Sequence, residues 1–127
     1  MSGRGADVDL SGVRVLVLED DFYLAMDLQD ALTACGATVI GPFRDAEEAI
    51  REVERETPDA ALVDVNLGQG PEFTLPARLL ESGVPFAFVT GYDRAAVPSE
   101  FARVPRVEKP VSTVAATRAA AALLSRS

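Results

Sequence analysis

Three carboxylates, one hydroxyl and one ammonium stand where apolar runs of this chain end. Glu19 and Asp20 follow Val15-Leu16-Val17-Leu18, Asp64 follows Ala60-Ala61-Leu62-Val63, Thr90 follows Phe86-Ala87-Phe88-Val89, and Lys109 comes two places after Val107. Three clustered carboxylates repel one another and tend to protonate unless a cation sits among them. An all-oxygen donor set selects Mg²⁺, Mn²⁺ or Ca²⁺ over zinc, and Mg²⁺ leaves positions open for water or phosphate oxygens. Beside such an ion the Asp64 carboxylate is able to act as a nucleophile and form an aspartyl-phosphate. The Thr90 hydroxyl and the Lys109 ammonium would then meet the phosphoryl oxygens, which is the positioning and charge cancellation that phosphoryl transfer requires. Taken singly, each residue reads equally well as a turn residue, a helix cap or a solvated charge. The specific signal is their joint placement at successive strand ends.

The elements that must position them follow from periodicity. Val13 to Leu18 reads as a strand, and Leu24, Leu28, Ala31, Leu32 and Cys35 recur at helical spacing before Gly36, a C-cap residue. Ala37-Thr38-Val39-Ile40-Gly41 reads as a second strand closed by Pro42. Asp45 stands as an N-cap with Glu48 in the capping-box position, and Pro58 stops the helix between them. Ala60 to Val63 is a continuous apolar run, as expected of a strand covered on both faces. The turn-rich stretch 66–71 leads to a helix over about 72–82 ending at Gly83. Pro85 to Val89 is a fourth strand, residues 103–107 a short fifth, and Ser112 caps a last helix through the alanine-rich stretch to Leu124. Pro98 and Pro105 leave room only for an abbreviated helix between the last two strands. Strand and helix therefore alternate five times, which predicts an α/β fold: a five-stranded parallel sheet with helices on both faces and a flavodoxin-like strand order. Residues 1–12, rich in Gly, Ser and Asp, read as a flexible leader, and 13–125 as one domain.

Composition narrows the function. The chain has 127 residues, 48% of them hydrophobic and 25% charged, a size and balance that fit one globular domain. A net charge of −8 gives no electrostatic reason to bind nucleic acid or an anionic membrane. The sequence contains no histidine, so histidine-based catalysis and histidine metal ligands are excluded. The single cysteine, Cys35, reads as a small core residue and forms no internal disulfide. There is no secretory signal and no run long enough to span a bilayer, so a cytoplasmic location is expected.

At Val15-Leu16-Val17-Leu18-Glu19-Asp20-Asp21, Leu62-Val63-Asp64-Val65-Asn66-Leu67, Val89-Thr90-Gly91-Tyr92 and Glu108-Lys109-Pro110 the sequence resembles the receiver domains of two-component response regulators, over residues 13–124. The resemblance implies a phosphoacceptor at Asp64 and phosphoryl contacts from Thr90 and Lys109. It further implies Mg²⁺, with Mn²⁺ as a substitute, held directly by Asp20, through water by Glu19, by Asp64, and by the backbone carbonyl of Asn66. Asp21 is left outside the metal set, and a cis Lys109-Pro110 bond is common in the family. Phe88-Val89-Thr90-Gly91-Tyr92 is similar to a Phe-x-Thr-Gly-Tyr subset often found with HWE-type kinases. The implied partners are a histidine kinase or histidine phosphotransfer protein and a downstream protein target. With no output segment expected beyond residue 127, output would pass through a changed surface or onward phosphotransfer, and the only catalysis would be the domain's own phosphorylation and dephosphorylation. One departure stands out. Arg106 occupies the place, three before the lysine, where many receivers carry a switching aromatic residue. Its guanidinium is expected to lie along the surface, paired with Glu108 or Glu100, and activation to work by ordering 91–103. The alternatives are a phosphorylation-independent interaction module of the same fold and an aspartyl-nucleophile phosphatase. The phosphatase normally places its nucleophile after the first strand. A flavodoxin would need a phosphate loop where this chain has three acids.

Overall fold

The computed structural model describes residues 8–65, 73–90 and 97–124. Five strands, β1 (Arg14–Leu18), β2 (Thr38–Phe43), β3 (Ala60–Asp64), β4 (Phe86–Thr90) and β5 (Arg106–Glu108), form one sheet in the order β2-β1-β3-β4-β5, and every pairing is parallel. The helices are α1 (Phe22–Ala34), α2 (Ala46–Arg55), α3 (Thr74–Ser82) and α4 (Thr113–Leu124). Among the described residues, a single 3-10 turn (Ser99–Phe101) stands between β4 and β5, where a full helix would complete a fifth repeat.

The period of two along each strand divides the core into two layers. Val15 and Val17, Ala60 and Leu62, and Ala87 and Val89 meet Leu28 and Leu32 of α1 and Ala116, Ala120 and Leu123 of α4. The alternate residues, Leu16 and Leu18, Ala61 and Val63, and Phe86 and Phe88, meet Ala49 and Val53 of α2, Leu75 and Leu79 of α3, and Phe101. All five residues of β3 and of β4 are buried, which is why their sequences are continuously apolar. Cys35 is partly buried against the first layer. No helix among the described residues is long and apolar enough to cross a membrane.

Caps follow the sequence closely. Asp21, Asp45 and Ser112 each accept a hydrogen bond from the backbone N–H three residues on, at 3.1, 2.9 and 2.9 Å. Gly83 ends α3 with φ 72°, in the left-handed region.

Four expectations change. Ordered packing begins within the stretch read as a leader: Leu10 is fully buried with Val8 beside α1 and α4, and its N–H donates to the Cys35 carbonyl at 2.7 Å. Two apolar residues in a polar stretch are enough to anchor it. Pro42 does not close β2, which runs on through a cis Gly41–Pro42 bond to Phe43. β2 is an edge strand, so a proline there forfeits no ladder bond. The helix expected over 72–82 starts at Thr74. β5 starts at Arg106 rather than near 103, because the Val104 N–H closes back onto the Phe101 carbonyl at 3.1 Å and completes a turn.

Candidate functional site

Strand ends bring the predicted residues together at the carboxyl edge of the sheet. The Glu19 side chain is fully buried directly after β1. Its backbone N–H donates to the Phe43 carbonyl at 2.9 Å, tying it to the end of β2. That carbonyl is reached because β2 carries one extra residue: Leu16 pairs with Ile40, but Leu18 pairs with Phe43. Such a bulge re-aims the backbone beside a site. Gly41 makes it, at φ +102°, and a Cβ there would lie 2.6 Å from the Phe43 nitrogen.

Asp64 closes β3 with 1% exposure, and Thr90 closes β4 with 6%. Lys109 follows β5, its backbone N–H bonded to the Thr90 carbonyl at 3.0 Å. The Lys109–Pro110 bond is cis. The ammonium reaches back across the edge, 3.1 Å from Asp64 Oδ2 and 3.4 Å from Glu19 Oε2. Asp20 is partly buried, and Glu19, Asp20 and Asp64 each offer an oxygen within 4.8 Å of the other two.

Two features of the site were not readable from residue types. The Asp21 backbone N–H donates to Glu19 Oε2 at 3.0 Å, while the Asp21 side chain caps α1. Asp21 therefore orients the acid from behind, with its own side chain committed to the cap. The other Glu19 oxygen, Oε1, is buried without a hydrogen-bond partner.

The electrostatics follow from crowding. Burial, and then the charge of Asp64, push the Glu19 carboxyl up to about 7, against the pull of the Asp21 N–H. Burial would lower the Lys109 ammonium, but the charges of Asp64 and Glu19 outweigh it and raise it. One ammonium meets two of the three acids, Glu19 and Asp64, and a buried carboxylate oxygen is left without a donor. That orphan oxygen and the all-oxygen donor set fit a hard divalent cation. Glu19, Asp20 and Asp64 would hold it, and it would supply positive charge to an incoming anion. Asn66, expected to add its carbonyl, lies outside the described residues, as do Gly91 and Tyr92.

The expectation for Arg106 is corrected. It is partly buried on β5 opposite Phe88, forms no ion pair with Glu100 or Glu108, and its Nη1 is buried with no hydrogen-bond partner. In the parallel register Arg106 pairs with Phe88, whose ring belongs to the aromatic cluster of Phe73, Phe86, Phe88 and Phe101.

No protein-family model matches the chain. It is 32% identical over 94 residues to the Phyllosphere-induced regulator PhyR of Methylorubrum extorquens, covering 72% of this chain and 35% of that protein. The chain thus spans about a third of that relative's length. The solution structure of SdrG from Sphingomonas melonis Fr1 is 34% identical with a TM-score of 0.76, over 88% of this chain and 96% of that one. The BeF3-activated conformation of SdrG from Pseudomonas melonis Fr1 is 33% identical with a TM-score of 0.75, over 90% and 98%. The signal receiver domain of a modulated diguanylate cyclase from Desulfovibrio desulfuricans G20 is 29% identical with a TM-score of 0.75, over 90% and 94%.

Proposed function

Because this chain belongs to the receiver domains of two-component response regulators, we propose that it signals by accepting a phosphoryl group on Asp64 from the phosphohistidine of a sensor kinase or phosphotransfer protein. An Asp64 oxygen attacks phosphorus, the phosphorus–nitrogen bond of the donor breaks, and the imidazole nitrogen leaves with the bonding pair and takes a proton from water. The product is an aspartyl-phosphate on this chain.

The observation that carries this reading is the convergence of Asp64 with Lys109, 3.1 Å away. The ammonium faces the Asp64 carboxyl group and is placed to neutralise a phosphoryl oxygen as charge is transferred. Thr90, bonded through its carbonyl to the Lys109 N–H, brings a hydroxyl to the same edge. Burial keeps bulk water off Asp64, which strengthens each of these charges. Glu19, Asp20 and Asp64, joined by the Asn66 carbonyl, would hold Mg²⁺, with Mn²⁺ able to substitute. A relative described in a BeF3-activated conformation supports a site that responds to a phosphoryl-like anion. Apart from this self-modification, the domain turns over no substrate, and its output passes to a downstream protein through a changed surface.

Incubation with acetyl phosphate and Mg²⁺, followed by intact mass measurement, tests the reading. One phosphoryl group is expected, lost in Asp64→Asn and in EDTA. Equal labelling of Asp64→Asn would refute the assignment. No labelling of the unaltered chain would leave the phosphorylation-independent interaction module.

A further inference from the structure

Between α1 and the end of β2 lies a cavity of about 210 Å³ that the chemistry of the strand ends leaves unused. Its inner wall is buried: Ala25 is 7% exposed and Glu19 0%. Phe22, Ala25, Met26 and Gln29 fall at positions i, i+3, i+4 and i+7 of α1, so one stripe of the helix forms one side. Pro42 and Arg44, two residues apart where β2 ends, form the other.

Several of these side chains lack partners within the domain. Phe22 is 59% exposed and Met26 44%, and the Phe22 ring meets only Tyr23, edge-on at 5.4 Å, among the described residues. Neither the Arg44 guanidinium nor the Gln29 amide forms a hydrogen bond or ion pair among the described residues. The guanidiniums of Arg14, Arg55 and Arg78, by contrast, each pair with a glutamate. The acids next to the cavity in sequence, Asp21 and Asp45, are committed to capping α1 and α2.

This lining states what it would hold. A guanidinium beside an amide presents several donors to a carboxylate. Phe22, Met26 and Pro42 suit a ring or a short hydrocarbon, and a methionine sulfur favours an aromatic one. The volume is below the range of drug-sized ligands, so a molecule of about ten non-hydrogen atoms fits. Inorganic phosphate or acetate would leave the apolar lining uncovered, and an organic cation would meet Arg44.

We propose that the cavity between α1 and the end of β2 binds a small apolar carboxylate, its charge paired with Arg44 and Gln29 and its hydrocarbon body against Phe22, Met26 and Pro42. Glu19 belongs both to this cavity and to the cluster of three acids, so the two sites are coupled. A divalent cation among the acids offsets charge that repels an anion, and each occupant then favours the other by the same factor. The binding stands without the phosphoryl reading. Only its consequence, control of Asp64 labelling by a small organic acid, rests on that reading.

The probe is phenylacetate, titrated into ¹⁵N-labelled protein carrying ¹³C-methyl methionine. Saturable shifts of the Arg44 Nε–H and Gln29 side-chain amide signals are expected, with a dissociation constant of about 1 mM. Nuclear Overhauser contacts should join the probe's ring to the Met26 methyl group. Saturating MgCl₂ should tighten binding about fivefold relative to KCl of equal ionic strength. Arg44→Gln should weaken it roughly tenfold or more, and Arg51→Gln on α2 hardly at all. Arg44 is exposed, so Arg44→Gln should melt with the unaltered chain and lost binding will not reflect unfolding. No saturable shift in the unaltered chain, equal affinity for Arg44→Gln, or weaker binding in MgCl₂ would each overturn the proposal. So would equal binding of acetate, which needs no apolar lining and would place the anion at Lys109. Asp64→Asn should still bind phenylacetate while failing to label, so the two readings fail separately.

Discussion

Glu19 shows how a single residue's burial sets the chemistry of the site. Its carboxyl is raised from 4.5 to about 7, first by burial and then by Asp64. In the unfolded chain the group ionises near the lower value, so between the two values only the folded state holds the proton. The resulting stabilisation is fully present below about pH 4.5 and is lost as pH rises through about 7. EDTA-treated protein should therefore lose at most about 3 kcal/mol relative to Glu19→Gln between pH 5 and 8. Urea unfolding of both proteins across that range measures it, and parallel pH profiles would show that Glu19 ionises normally. Asp20→Ala should raise the Mg²⁺ needed for half-maximal labelling more than Glu19→Ala does, because Asp20 is the acid expected to touch the ion directly. Much of this was legible in residue types, since Glu19, Asp20, Asp64, Thr90 and Lys109 stand at the ends of apolar runs. The Asp21 N–H behind Glu19 was not, because a backbone donor carries no letter in the sequence. The state of Arg106 was missed for a similar reason: its place opposite Phe88 is set by strand pairing, which no local segment spells out.

At the scale of elements, the second strand matters most for the site. Pro42 suggested an end because proline cannot donate to a ladder. It is tolerated because β2 is an outer strand, and strand order is a property of the whole sheet rather than of any one segment. The leader misled in the opposite sense, since Val8 and Leu10 are too few to make a periodic signal yet fill the space between α1 and α4. Caps were easier to read, because a side chain bonding three residues away is a local event. Asp45→Ala should cost about 1 kcal/mol, measured by urea midpoint, by freeing the Glu48 N–H. Gly41→Ala should cost more, about 2 kcal/mol or above, since its Cβ would press on the Phe43 nitrogen and lie 3.1 Å from the Val17 carbonyl. It should also raise the Mg²⁺ requirement for labelling, because the Phe43 carbonyl that it displaces holds the Glu19 N–H. A fall in stability with an unchanged Mg²⁺ requirement would limit the bulge to a structural role.

Across the whole molecule, the site is a place where folding and ligand binding are opposed until a cation arrives. Two parallel layers of core fix the strand ends, and the strand ends hold Glu19, Asp20 and Asp64 closer than their charges favour. A ligand that binds only the folded state stabilises it by mass action. With a dissociation constant of about 1 mM, Mg²⁺ at about 10 mM should add about 1.4 kcal/mol and raise the melting temperature by roughly 5 °C. The same increment should shrink near pH 6, where the proton on Glu19 competes with the ion, and grow toward pH 8. Glu19→Gln should flatten that pH dependence, and Asp20→Ala should remove most of the increment at every pH. Differential scanning calorimetry with MgCl₂ against KCl of equal ionic strength separates specific binding from screening, which would act alike in both salts. Equal shifts in the two salts, or an Mg²⁺ effect that persists in Asp20→Ala, would mean that the three acids do not act together as a cation site.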